Sequence, residues 1–274
     1  MTQNDELYKK LTPLNNKLHL TVKIRDTVNY SFTKKTNAVL LTCSEFEKAS
    51  KIYPLLFVLD NKQMVPVVLF GLEKNQNLFL KWNHQWDAFY IPAYIRRYPF
   101  SLARKKNENS NDYIVCFDEK SPLVNKQAEH SLFQKNGKQT PYLTEKIHFL
   151  QEFQIEYEKT IQFVERLNKL DLLEPMSANV NLLNGESLSI SSFYIINTKQ
   201  FKNLSAEQYR ELVISDDMKL IYEHFSSLDN FSTLIDKLAE KKLISKTVNK
   251  SKTTTKNTGK ISKTKSRILD EAAE

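Results

Sequence analysis

Residues 79–100, FLKWNHQWDAFYIPAYIRRYPF, hold both tryptophans of the chain, Trp82 and Trp86, six further aromatic residues and the adjacent pair Arg96 and Arg97. Aromatic rings carry large apolar areas and, in Tyr and Trp, a polar handle. A segment this dense therefore either centres the core of an amino-terminal domain or forms a binding face. Arginine beside such rings can stack on them or fork onto a carboxylate or phosphate, which suits an anionic or peptide-like ligand. Trp82, His84, Trp86, Tyr94, Arg96, Arg97 and, from a later strand, Asp118 are the candidate ligand-binding residues on this view. Each also has a plainer role open to it: core packing for the rings, a turn position for His84, an N-cap or ion pair for Asp118. Neighbours on a helical turn point about 100° apart, so Arg96 and Arg97 should differ, with Arg97 tied to an internal carboxylate and Arg96 facing solvent or ligand.

Upstream of this segment the pattern is that of a sheet. Leu18, Leu20, Val22 and Ile24 alternate with other residues, the period of a half-buried strand, and Ala38 to Thr42 reads as a short apolar strand. Ser44 and Glu47 have the spacing of a capping box and predict a helix to about Ile52. Leu55 to Leu59 and Met64 to Leu72 flank the turn residues Asp60-Asn61-Lys62-Gln63, a hairpin, and Pro66 argues for an edge or a bulge in its second strand. Asn77 to Trp82 reads as another strand. Pro92 can open a short helix through Arg97 that Pro99 forbids to continue, and Ser101 to Arg104 with Tyr113 to Phe117 form a hairpin around the polar Asn107 to Asn111.

Downstream the texture changes at Thr140-Pro141, an N-cap and first-turn pair. Leu143, Ile147, Leu150, Tyr157, Ile161, Val164 and Leu167 then recur at helical spacing, flanked by Phe149, Phe153 and Phe163, and predict one long helix to about Leu170. Asn184-Gly185 marks a hairpin turn between two strands, with Phe193 to Ile196 as a third. Ser205 with Gln208, Asp217 to Leu228, and Phe231 to Leu243 read as three further helices, with Glu223-His224 on a solvated face. The fold class is thus α+β. A polar lead-in (residues 1–17) precedes a β-rich domain (18–140), then an α-rich part with a hairpin (141–245) entered through the long helix, and a basic tail (246–274).

Chemistry-bearing patterns are few. Four glycines in 274 residues leave no Gly-rich phosphate loop, which excludes the nucleotide enzymes built on one. His19, His84, His130, His148 and His224 show no metal-ligand spacing, and Cys43 and Cys116 form no CxxC, so they read as reduced core residues. No metal or cofactor is expected. Asp118 and Glu119 are adjacent on a strand and point to opposite faces, a poor arrangement for a shared acid and base.

The formal charge of +8 is concentrated in the tail, where seven lysines and one arginine between Lys246 and Arg267 meet no acidic residue. Such a segment cannot bury enough apolar surface to order itself, and is either a solubilising extension or a weak, salt-sensitive attractor of polyanions. The first twenty residues lack the apolar run of a signal peptide, and the longest apolar runs are far shorter than the roughly 18 residues of a membrane helix. A cytoplasmic, soluble chain without a membrane span is the expectation.

The succession Tyr53-Pro54, Val65-Pro66, the Trp82 to Trp86 segment, Pro92-Ala93-Tyr94-Ile95-Arg96-Arg97-Tyr98-Pro99-Phe100, Phe117-Asp118-Glu119 and Ser121-Pro122 resembles that of the bacterial SapC-like family. Leu172-Leu173-Glu174-Pro175-Met176 and Ile221-Tyr222-Glu223-His224-Phe225 continue the likeness over roughly residues 10 to 240. That family takes its name from an association with surface-layer proteins, and is distinct from the like-named permease of peptide transport. The resemblance implies no established reaction. It implies a non-catalytic accessory or binding protein that recognises a peptide or protein, with surface-layer or surface-protein handling as its setting and no catalytic residue assigned. The alternative is an enzyme acting on a peptide or anionic small molecule through the aromatic stretch, Arg96, Arg97 and a carboxylate such as Asp118.

Overall fold

The computed structural model describes residues 7–104, 113–181 and 187–243, with the side chains of 178–187 left aside. The expected turns at Asn107 to Asn111 and at Asn184-Gly185, and the tail from Lys246, lie outside the described residues. The molecule is α+β: β-rich in its amino-terminal part, crossed by one long helix, and helical towards its carboxyl end.

The chain begins with β1 (Leu11–Pro13), within the stretch expected as lead-in, and β2 (Lys23–Ile24). The strand expected over Leu18 to Ile24 is only these last two residues. Asn15 explains why: its side chain accepts from the backbone N–H groups of Lys17 and Leu18, while its own N–H donates to His19 Nδ1. These local bonds win the backbone from the ladder, and Leu18 is left exposed.

Then come β3 (Ala38–Leu40), a 3₁₀ turn at Cys43–Glu45, α1 (Phe46–Ala49), β4 (Leu55–Asp60) and β5 (Gln63–Leu69). The capping box here is Thr42 with Glu45, two residues before the expected Ser44 and Glu47. Pro66 stands in a central strand rather than at an edge, since β5 lies between β3 and β4. Its carbonyl accepts from Leu41 N–H on the β3 side, just beyond the end of β3. On an antiparallel strand a residue's N–H and C=O point the same way, so the missing donor takes nothing from the β4 ladder.

After a loop comes α2 (Ala93–Arg96), then β6 (Phe100–Arg104) and β7 (Tyr113–Asp118), which pair with β1 in a three-stranded antiparallel sheet. The strand expected over Asn77 to Trp82 is instead one isolated bridge, Leu80 to Trp86. β8 (His130–Ser131) pairs with β2.

The long helix α3 spans Pro141–Lys169, with the Thr140 hydroxyl accepting from Leu143 N–H as its cap. Leu143, Leu150, Phe153, Thr160, Phe163, Val164 and Leu167 are buried, and each large apolar one contributes about 1.5–3 kcal/mol against an exposed position. The helix packs on β5, β6, β8 and the Cys43–Glu45 turn. β9 (Leu173–Asn181) and β10 (Ser187–Ile196) follow. The two strand segments expected at Ser187 and Phe193 are one strand with a register shift between Ile190 and Phe193, where Ser192 has a φ of 70°.

β10 also pairs with β4 at Tyr194 and Phe57, completing the sheet β3-β5-β4-β10-β9. The carboxyl-terminal hairpin thereby extends the amino-terminal sheet. Helices α4 (Thr198–Lys202), α5 (Ala206–Ile214), α6 (Asp217–Ser227) and a last helix over residues 230–243 close the fold. A single cluster of buried apolar residues reaches from Leu7 to Leu238. The Arg166 guanidinium forks onto Asp217 at 2.5 and 2.7 Å, fixing α3 to the start of α6. His224, expected on a solvated face, is buried instead. It falls in step with Ile221 on the core side of α6 and accepts Ile196 N–H through Nε2 at 3.1 Å.

Candidate functional site

The rings of the aromatic segment divide between core and surface. Phe79, Trp86, Tyr94, Tyr98 and Phe100 are buried, whereas Trp82 is 93% and Phe89 75% exposed. Trp82 and His84 sit in a tight turn closed by Lys81 N–H to Gln85 O, in which His84 adopts a φ of 62°. Trp86 points inward, edge-on to Phe70 and Tyr30.

Asp118 is wholly buried and turned towards the amino-terminal segment. It accepts the backbone N–H groups of Lys9, Lys10 and Lys120 and the Tyr98 hydroxyl. Four donors leave it little capacity for a ligand.

The two arginines do differ, but no carboxylate holds Arg97 among the described residues. Its guanidinium lies 3.8 Å from the ring centre of Tyr94 and 4.8 Å from that of Phe153, an aromatic clamp between α2 and α3. The residue keeps some accessible surface, while its Nε is sealed off without a hydrogen-bond partner. Burial pulls its pKa down, yet the Tyr8 and Tyr94 phenols outweigh this and hold it above the usual value. The expected ion pair is thus replaced by rings and hydroxyls, the environment in which a planar, weakly hydrated cation is stable.

Arg96 is exposed. Its Nε donates to Ile91 O at 2.9 Å, and its guanidinium stands 5.1 Å from the ring centre of Phe149 and 5.9 Å from that of Tyr90. It lines a cleft of ≈790 Å³ between the outer face of α3, residues 42–48 and residues 89–96. Phe89, Ile91, Phe149 and Ile155 give the cleft an apolar surface, with Lys48 and Arg96 as cations and Glu152 and Glu156 as carboxylates. The volume lies within the range of ligand sites, and the mixed lining suits a chain that is partly apolar and partly charged.

Glu45 fixes the wall of this cleft. Oε2 accepts Thr42 N–H at 3.1 Å and the Thr42 hydroxyl at 2.9 Å, while Oε1 accepts the Tyr90 hydroxyl at 2.8 Å and Ala93 N–H at 2.6 Å. One buried carboxylate therefore ties the capping box to the start of α2. Burial pushes the Tyr90 hydroxyl up, and the Glu45 charge adds to it, so Tyr90 stays a neutral donor. Cys43 donates its N–H to the Thr160 hydroxyl, and burial raises its thiol to about 12, which leaves it protonated and unreactive.

A second, smaller cavity of ≈140 Å³ lies on the other side of Arg96, lined also by Tyr30, Tyr98, Tyr142 and Lys146. Of the seven residues expected from sequence, Arg96 lines both cavities. Trp86 and the Tyr94–Arg97 pair support the walls from the core, Trp82 and His84 lie in the exposed turn, and Asp118 anchors the amino-terminal segment. Glu45, Phe149 and Ile155 escaped the sequence reading as cleft residues, and Phe89 and Tyr90 entered it only as members of the aromatic segment. Ile155 carried a signal, an apolar residue off the buried stripe of α3 and 54% exposed.

No group of His, Cys, Asp and Glu among the described residues is arranged to hold a metal ion, and no described helix is long and apolar enough to cross a membrane. No curated protein and no solved structure matches the chain. The SapC family model matches residues 14–234, and the chain belongs to that family.

Proposed function

We propose that this member of the SapC family is a non-catalytic binding protein that takes a peptide or a segment of another protein into the cleft between α3 and residues 89–96. The observation that carries this reading is Arg96. It is fixed by the Ile91 carbonyl and two rings, yet exposed beside the apolar residues Phe89, Phe149 and Ile155. Arginine and aromatic anchors of this kind carry most of the binding energy in protein recognition. Asp118, the carboxylate offered as an example for the alternative enzyme site, is engaged by four internal donors and does not line the cleft. A setting in surface-layer or surface-protein handling belongs to the proposal through the association for which the family is named.

Selection of displayed peptides against the protein tests the reading. Selected peptides should bind the protein and lose at least tenfold in affinity to Phe89→Ser and Ile155→Ser, both exposed positions whose change leaves the fold intact. Peptides that bind the two variants as well as the parent would place recognition elsewhere.

A further inference from the structure

Trp82 stands 93% exposed and lines neither cavity, yet the loop that carries it is firmly built. Asp87 N–H donates to Phe79 O and Lys81 N–H to Gln85 O, both at 2.9 Å, with Leu80 and Trp86 bridged between them. Asn83 braces the tip, accepting Gln85 N–H at 3.1 Å and donating to the Gln85 side chain at 2.9 Å. Tyr30 N–H fastens the tip to the body by donating to His84 O at 2.8 Å. The indole is therefore held out in water by a braced turn. Such a turn forgoes the burial that a ring of this area would bring, which points to a partner outside the chain.

The same side of the molecule is basic. Lys81, beside Trp82, shares Asp87 with Lys237 of the last helix, at 4.0 and 2.7 Å. One turn on, Lys241 Nζ reaches Asn77 O at 3.4 Å and Lys242 Nζ reaches Glu73 at 3.0 Å, so the helix ends against the approach to the loop. Burial lowers the pKa of Lys241, and the nearby charge of Lys34 adds to the effect. Five lysines thus gather around two carboxylates, Asp87 and Glu73. From this helix end the chain runs into Lys246 to Arg267, seven lysines and one arginine with no acid among them. Three acids follow, Asp270, Glu271 and Glu274, so the segment as a whole stays cationic.

We propose that the Trp82 turn and the basic segment after the last helix together dock this protein on an anionic lipid surface, with the indole at headgroup level and the lysines meeting the lipid phosphates. An indole joins an apolar ring to one N–H donor, the combination that settles at a membrane interface, and lysines beside it add attraction to anionic lipid. A lipid surface is favoured over a nucleic acid because one indole, bare on both faces, forms no run of platforms for successive bases. The contact is peripheral, since no described helix is long and apolar enough to cross a membrane. It is independent of the peptide-binding reading, because Trp82 lies outside the cleft.

Vesicle sedimentation of the full chain reads the contact. The protein should co-sediment with vesicles containing phosphatidylglycerol and far less with phosphatidylcholine alone, and salt should release it. Trp82→Ala, at an exposed position whose change leaves the fold intact, should weaken binding about fivefold or more. Lys256→Gln, Lys260→Gln, Lys263→Gln and Lys265→Gln combined should weaken it about tenfold or more. In Trp86→Phe, where Trp82 is the sole indole, anionic vesicles should move the emission to shorter wavelength. No binding to anionic vesicles, equal binding to neutral ones, unchanged affinity in either variant, or unchanged Trp82 emission on bound protein would overturn the proposal. So would an oligothymidylate that quenches Trp82 where vesicles leave it unmoved, the result for a nucleic-acid platform.

Discussion

The indole N–H of Trp86 donates to the hydroxyl of Tyr53 at 2.8 Å, and that hydroxyl in turn donates to Tyr90 O at 2.5 Å. This relay carries the helix-to-strand connection after α1 into the aromatic segment that walls the cleft. Burial raises the Tyr53 hydroxyl well above its ordinary value, so it remains protonated and able to donate throughout the physiological range.

Trp86→Phe keeps a ring against Phe70 and Tyr30 but deletes the donor at the head of the relay. It should lower stability by about 1–2 kcal/mol in urea unfolding, since the Tyr53 oxygen keeps its own acceptor. Because Trp82 is exposed and Trp86 buried, the variant should also emit at the long-wavelength position of a solvated indole and be fully open to iodide quenching. A variant with unchanged emission would show that Trp82 is covered.

Arg97→Ala removes the cation clamped between Tyr94 and Phe153 and leaves a space beside two buried rings. A loss of about 2–4 kcal/mol is expected in denaturant melts, whereas Arg96→Ala should cost less than about 1 kcal/mol because its side chain is exposed. Arg97→Lys should recover little, since an ammonium is more strongly hydrated and cannot stack. Equal melting temperatures for the two alanine variants would contradict the division of labour.

Much of the fold was legible because it rests on local chemistry. Thr140-Pro141 starts α3 where the cap spacing puts it, and Ser205 with Gln208 caps α5 as a box. What escaped depended on partners distant in sequence. Pro66 is tolerated centrally only because β3 stops at Leu40, and the choice between Trp82 and Trp86 was hidden because the loop between them has no period to assign faces. Arg96 emerged from the sequence as the arginine facing solvent or ligand, and it is exposed, but the surfaces opposite it did not emerge. Phe149 and Ile155 come from a helix more than fifty residues later, and Glu45 from a turn whose capping frame lies two residues before the expected one.

Glu45→Gln replaces an acceptor of four bonds with an amide whose NH₂ must face at least one donor. A loss of about 1–3 kcal/mol is expected, with weaker binding of any cleft-selected peptide, because Tyr90 and Ala93 lose their anchor. Thermal melts and the same peptide titration read the two effects. An unchanged melting temperature would show that water or Thr42 takes over the bonds.

His224 makes stability depend on pH. Burial depresses its pKa from 6.5 to about 4, and the Nε2 that accepts Ile196 N–H leaves the ring proton on Nδ1, which is buried without a partner. The folded state thus prefers the neutral ring. Below pH 6.5 the unfolded chain binds a proton that the folded chain refuses until about pH 4, so this contribution is complete above pH 6.5 and is lost as pH falls across that window. The loss amounts to about 3 kcal/mol at pH 4. Acidic side chains add their own acid sensitivity, so the informative quantity is the difference between the parent and His224→Gln, whose amide oxygen can still accept Ile196 N–H. Urea unfolding between pH 4.5 and 7.5 should show the parent losing stability more steeply than the variant. Parallel curves would mean that His224 titrates alike in both states, and that the contact between α6 and β10 does not demand a neutral ring.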